Sequence, residues 1–221
     1  MESDDLRRWR LPRGRHGLPR ELVERSQRER LLAAVVRVTV AEGYDSTTVA
    51  DILGEAGVGR ETFYELFDDK LDCMLAAHKI LADDLEERVR PTYLEAGPWP
   101  ERVRRSLDET LEWFAADPEA ARFFLVELST VGPAFRATFK AEYARFTKLL
   151  DDGLGEDGPD PELARATDLS VAAIMARMYE EVVLGRAAEL PRLLPELTYG
   201  FLVPFVGEEV ARAEQERATA G

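Results

Sequence analysis

Residues 47–70, TTVADILGEAGVGRETFYELFDDK, constrain the fold more than any other stretch, because they fit two short helices folded back across a glycine turn. Thr48 followed three residues later by Asp51 is an N-cap pattern standing just before Ile52 and Leu53. Ala56-Gly57-Val58 supplies the reversal, and Gly57 can take the positive backbone torsion that a sharp helix-to-helix turn requires. The second helix starts at Gly59, with Val58 placed to staple against Phe63. At about 100° per residue, Phe63 and Phe67 share one side of that helix while Glu61 and Glu65 point away. Arg60 and Tyr64 fall on one flank and Thr62 on the other.

A helix anchored by two phenylalanines would thus present a cation, carboxylates, a phenol and a hydroxyl outward, groups that suit base edges and phosphates. The bland alternative is a helical hairpin packed by Val49, Ile52, Leu53, Val58, Phe63 and Phe67 with solvated polar residues outside. An amphipathic helix over Glu21 to Glu42 precedes the pair, and Lys70 opens the next helix. With Thr47-Thr48-Val49, Ala56-Gly57-Val58, Thr62-Phe63-Tyr64 and Phe67, the segment from about residue 25 to 80 resembles the DNA-binding region of the tetracycline-repressor (TetR) family of bacterial transcription regulators. That resemblance implies an all-α fold, a three-helix N-terminal head with a helix-turn-helix plus a larger helical ligand-binding and dimerisation domain. It also implies contacts to a double-stranded operator from Thr48, Gly59, Arg60, Glu61, Thr62, Tyr64 and Lys70. Leu66 stands where many members carry a polar residue, which leaves the phosphate anchoring to Thr48, Tyr64 and Lys70.

The net charge of −14 opposes DNA binding until its distribution is considered. Residues 6–20, LRRWRLPRGRHGLPR, hold six of the 29 basic residues and none of the 43 acidic ones. Proline and glycine prevent this arm from being one helix, and its arginines, Arg13 and Arg15 foremost, suit a minor groove or phosphates beside a major-groove helix. A solubilising tail is the plainer reading of the same charge run. The domain boundaries expected are an arm over 1–20, a helix-turn-helix domain over 21–69 and a body over 70–221.

Other classes find little support. The amino terminus lacks the apolar core of a secretory signal, no apolar run approaches a membrane span, and the lone Cys73 suits a reducing cytoplasm, so a cytoplasmic location is expected. His16 and His78 have no second ligand at a usable spacing, so no metal site is expected. No phosphate-binding glycine loop or nucleophile signature points to an enzyme or a cofactor. A helical enzyme or small-molecule binder with an incidental helix-turn-helix is the competing reading.

Beyond the head, apolar residues recur at three and four throughout. On the first helix the inner residues expected are Leu32, Val35, Val36, Thr39 and Val40. Asp68 or Asp69 caps a long helix limited near Arg90 by Pro91, AGPWP at 96–100 breaks the chain, and a helix then runs to Ala116. Asp117-Pro118 opens another, ended by Gly132-Pro133. A further helix carries Phe135, Phe139, Tyr143 and Phe146, before a loop at 151–161. Two strongly apolar helices, about 162–186 and 190–206, follow, the second with a face of Leu190, Leu194, Leu197, Phe201 and Phe205. They would meet their two-fold copies as a four-helix bundle, the homodimer that the family resemblance implies, with intramolecular core as the competing reading. The same resemblance implies a pocket in the body for a small molecule, for which Trp113, Phe124, Glu127, Tyr143 and Tyr179 are the candidates. Plain aromatic core is the competing reading there, and Glu127 has Arg122 or Arg177 as potential partners.

Overall fold

The computed structural model describes residues 20–132, 144 and 161–220, and every regular element among them is helical. In chain order α1 spans Arg20–Glu42, α2 Val49–Ala56, α3 Arg60–Leu66, α4 Lys70–Leu94, α5 Trp99–Ala116, α6 Pro118–Leu125, α7 Pro161–Val183 and α8 Leu194–Ala220. Short 3-10 segments occupy Glu127–Thr130 and Ala187–Leu193. A division between Lys79 and Ile80 separates two compact units.

The first unit is a three-helix head followed by the start of α4. In it, α1 packs against both α2 and α3. Its buried residues include Leu31, Leu32, Ala34, Val35 and Val38 of α1, Ile52 and Ala56 of α2, Phe63 of α3, and Cys73, Met74 and Ala77 of α4. The buried stripe on α1 is rotated from the one expected: Leu31 and Val38 are inside, while Val36 and Val40 are half-buried. Residues 31–40, LLAAVVRVTV, are apolar almost all round, so periodicity leaves the inner face open and the neighbouring helices select it.

The second unit contains two aromatic-rich clusters. One gathers Leu111, Trp113, Phe114, Met178, Val182 and Leu190 among others, and the other Tyr93, Val103, Val171, Phe201, Leu202 and Ala211. Here α5 lies against α8 and the 3-10 segment before it, and α7 packs on α6 and α8.

Three helix ends differ from expectation. Pro91 does not stop α4, which continues one turn to Leu94. Proline removes a single N–H and its fixed φ is compatible with helix, while Arg102 Nη1 donates to the Tyr93 carbonyl at 3.2 Å and so closes the end. Helix α6 ends at Leu125, well before Gly132-Pro133. There the Ser129 and Thr130 hydroxyls donate back to the carbonyls of Val126 and Glu127, at 2.6 and 2.7 Å, and tighten the chain into a 3-10 turn. Finally, α8 absorbs Pro204 but changes direction at Gly207, whose φ of 78° and ψ of 171° are not helical. The helix with Phe135, Phe139, Tyr143 and Phe146, and loop residues 151–160, lie outside the described residues.

The apolar face read on the last helix also serves a different purpose. Leu190, Leu194, Leu197 and Phe201 are buried in the chain's own core, so they cannot also meet a second copy. A single helix cannot give one stripe to two partners. The outward side of α7 instead carries exposed Leu169, Ala172, Ala173, Ala176 and Val183, and α8 exposes Gly200 and Pro204.

Candidate nucleic-acid interface

Helix α2 begins where Thr48 caps it. The Asp51 N–H donates to Thr48 Oγ1 at 3.3 Å and the Thr48 N–H donates to Asp51 Oδ2 at 2.9 Å, which completes a reciprocal capping box. The Thr48 hydroxyl also donates to the same carboxylate, and these bonds, hydroxyl first and backbone second, hold the Asp51 carboxyl below its ordinary range. At the other end Gly57 stands at φ 61°, in the left-handed region, and its N–H closes on the Leu53 carbonyl at 2.9 Å. Gly59 is the N-cap of α3, as its position suggests.

Two aromatic anchors hold α3. Phe63 is fully buried and Phe67 nearly so, with ring centroids 5.7 Å apart, and the Arg28 guanidinium of α1 lies 5.3 Å from the Phe67 ring centre. Burial of Phe63 alone contributes about 1.5–3 kcal/mol. The remaining side chains point outward as the helical angles require: Arg60, Glu61, Tyr64 and Glu65 are exposed, and Thr62 is half-buried. Arg60 is exposed and forms no ion pair with any described residue. Tyr64 is half exposed, its ring edge-on to Phe63 at 5.3 Å.

Lys70 is engaged within the head. Its Nζ donates to the carbonyls of Tyr44 and Thr47, both at 2.7 Å, and lies 4.2 Å from the Tyr44 ring centre. Asp69 caps α4 by accepting the Asp72 N–H at 2.9 Å. Arg37 of α1 and Glu55 of α2 form a cross-helix pair at 2.7 Å. Arg13 and Arg15 lie outside the described residues.

In the second unit the body candidates separate. Trp113 and Phe124 come together around Phe114, with centroid distances of 4.9 Å for Trp113–Phe114 and 5.5 Å for Phe114–Phe124. The Trp113 indole N–H donates to Asp84 Oδ2 at 2.7 Å beside an open-sided cavity of about 360 Å³ that Leu81, Arg88, Ala116 and Ala120 also line. Glu127 is buried and takes Arg122 as its partner at 3.1 Å. Arg177 is occupied elsewhere, by Glu180, Glu181 and Glu196. Tyr179 lies apart from the Trp113 group, exposed on α7, and Tyr143 lies outside the described residues.

Against this geometry, residues 31–77 match the family of bacterial regulatory proteins called the tetR family. The match falls on the three-helix head and the start of α4. A curated relative, the HTH-type transcriptional regulator CymR of Pseudomonas putida, is 28% identical over 123 residues, 56% of this chain and 61% of that protein. The fatty acid degradation regulator FadR of Bacillus halodurans superposes with a TM-score of 0.71 at 20% identity, covering 82% of this chain and 97% of that one. The transcriptional regulator FadR of Bacillus subtilis in complex with stearoyl-CoA superposes with a TM-score of 0.65 at 20% identity, covering 78% and 98%. At those identities the solved structures show a common fold.

Within the head, several supporting residues are not apparent from the sequence. Arg28 over Phe67, the Arg37–Glu55 pair and the anchorage of Lys70 all join residues distant in the chain. The one signal available for them was the cluster of arginines on α1, which charge alone cannot assign.

Proposed function

We propose that the protein is a ligand-responsive, non-enzymatic transcription regulator of the cytoplasm that binds a palindromic operator as a homodimer, acts as a repressor, and is released by a small, mainly apolar molecule. The observation that carries the reading is the solvent-facing side of α3: Arg60, Glu61, Thr62 and Tyr64 surround a helix pinned from behind by Phe63 and Phe67, within a head that matches the tetR family. On this reading Arg60 selects bases, Tyr64 grips a phosphate, Thr48, Gly59 and Glu61 lie at the DNA surface, and Arg13 and Arg15 reach the neighbouring groove. Two heads require two-fold symmetry, which the small and apolar outer sides of α7 and α8 would provide by pairing with their copies.

For the body, the open cavity of about 360 Å³ offers Trp113, Leu81, Ala116 and Ala120 to the apolar part of an occupant and Asp84, Arg88 and Asp117 to a polar end. Release requires that the occupant prefer a conformation which the operator does not accept. The fold shared with Bacillus subtilis FadR makes stearoyl-CoA a reasonable first probe. Titrating it against the protein on its selected duplex should weaken DNA binding by about 5- to 150-fold, and Trp113→Leu should reduce that effect. An undiminished response in Trp113→Leu would remove this region from the ligand site. A helical enzyme or carrier with an incidental helix-turn-helix remains the competing reading, and it predicts no sequence preference for any duplex.

A further inference from the structure

Lys70 is the first helical residue of α4, and the charge that its position offers to a phosphate is already in use. Two N–H groups of the ammonium reach the carbonyls of Tyr44 and Thr47, and the Tyr44 ring stands 4.2 Å from Nζ. Both carbonyls belong to the loop where α1 has stopped and α2 has not begun, so no helix supplies them with N–H partners. Thr47 is buried, with its own N–H and hydroxyl both donating to the Gly43 carbonyl, at 3.1 and 2.8 Å. The next residue, Thr48, is the cap from which α2 starts.

We propose that Lys70 is a positioning residue: its ammonium fastens the loop ahead of α2 to the first turn of α4 and thereby sets the pose of the helix-turn-helix, in place of the phosphate contact its sequence position suggests. The third N–H is the one these carbonyls leave over, and a phosphate that drew Nζ away from the loop would break bonds to both carbonyls and the contact with the Tyr44 ring. Asp69 fixes where α4 starts, through the bond to the Asp72 N–H, and so fixes the point from which the lysine side chain extends. The structural part of this inference is independent of DNA binding; its consequence for recognition rests on the function proposed above.

The test has two arms, both on the full chain. In the first, amide hydrogen exchange is measured without DNA in the natural protein and in Lys70→Met, which keeps the apolar stem and removes the ammonium. The expected result is at least tenfold faster exchange at Thr47 and Ile52, whose N–H groups bond within this loop and the first turn of α2. Loss of all protection in the head is the same result in stronger form. Unchanged exchange at both amides overturns the proposal. The second arm measures affinity for the selected duplex and for a random one across a salt series. A positioning role predicts that Lys70→Met weakens the selected duplex at least tenfold, leaves the random duplex and the salt slope as they were, and is not rescued by Lys70→Arg. If both duplexes weaken, the salt slope becomes shallower by about 0.9 and Lys70→Arg restores binding, the lysine is a phosphate contact and the proposal falls. If the natural protein prefers no duplex, the DNA-binding reading fails, while the exchange arm still decides the role of Lys70.

Discussion

Thr48 and Arg60 are both exposed polar residues of one helical hairpin, yet their chemistry is committed in opposite directions. Thr48 spends its hydroxyl and N–H on Asp51, whereas Arg60 is exposed and pairs with no described residue. Arg60→Ala should therefore leave the denaturant midpoint unchanged while relaxing discrimination at one base position by about 1–3 kcal/mol, checked by competition among single-base variants of the bound site. A uniform loss across all variants would mark it as a phosphate contact. Thr48→Ala should lower the stability of the head by about 1 kcal/mol through the lost cap. Because its partners hold the Asp51 carboxyl below the ordinary range, that group favours the folded state above about pH 4 and loses its effect as the pH falls further. The difference in urea midpoint between the natural protein and Asp51→Asn should accordingly shrink between pH 7 and pH 3, and a difference independent of pH would contradict this assignment.

At the scale of the helix, two glycines of the same short segment should respond with opposite sign. Gly57 sits at φ 61° with its nearest prospective neighbour, Arg30 Nη1, 3.9 Å away, so Gly57→Ala is strained by backbone alone and should destabilise by about 1–2 kcal/mol. Gly54 lies inside α2 with open space around it, so Gly54→Ala should stabilise by about 0.5–1 kcal/mol. Thermal or denaturant unfolding of the pair checks both, and a shared sign would refute the torsional account. Helix α7 closes similarly, with Gly185 at φ 75° and Arg186 N–H on the Glu181 carbonyl at 2.8 Å. Arg186 and Arg177 both bond the Glu181 carboxylate, the former contributing most, and push its pKa down to about 2. Its stabilising contribution is complete above about pH 4.5 and disappears as the pH falls toward 2. Acid unfolding of Glu181→Gln should therefore differ less from the natural protein near pH 2 than near pH 6.

These elements also mark how far the sequence could be read. The capping box, the turn at Gly57, the start at Gly59 and the Asp117 cap were legible because each depends on residues a few positions apart. The inner face of α1 and the extent of α4 past Pro91 were not, since a decade apolar almost all round has no preferred side and Arg102, which closes α4, lies in the next helix. For the same reason the sequence suggested Arg122 or Arg177 for Glu127 but could not choose between them. It grouped Tyr179 with Trp113, although the fold sets that tyrosine on the exposed side of α7.

For the molecule as a whole, an acidic chain with a net charge of −14 has to bind a polyanion through a locally arranged surface. Residues 6–20 supply six arginines without acids, and removal of residues 1–20 should lower duplex affinity and the salt dependence together without altering the thermal unfolding of the helices. Unaltered binding would return the arm to a solubilising role. The central claim is that two copies of this head read one symmetric site. Selection of bound duplexes from random DNA by the full chain tests it most directly, because sequence preference, symmetry and half-site spacing emerge from one measurement. The account predicts enrichment of an inverted repeat with half-sites about one helical turn apart; recovery of a motif without two-fold symmetry, or of no motif, would contradict it.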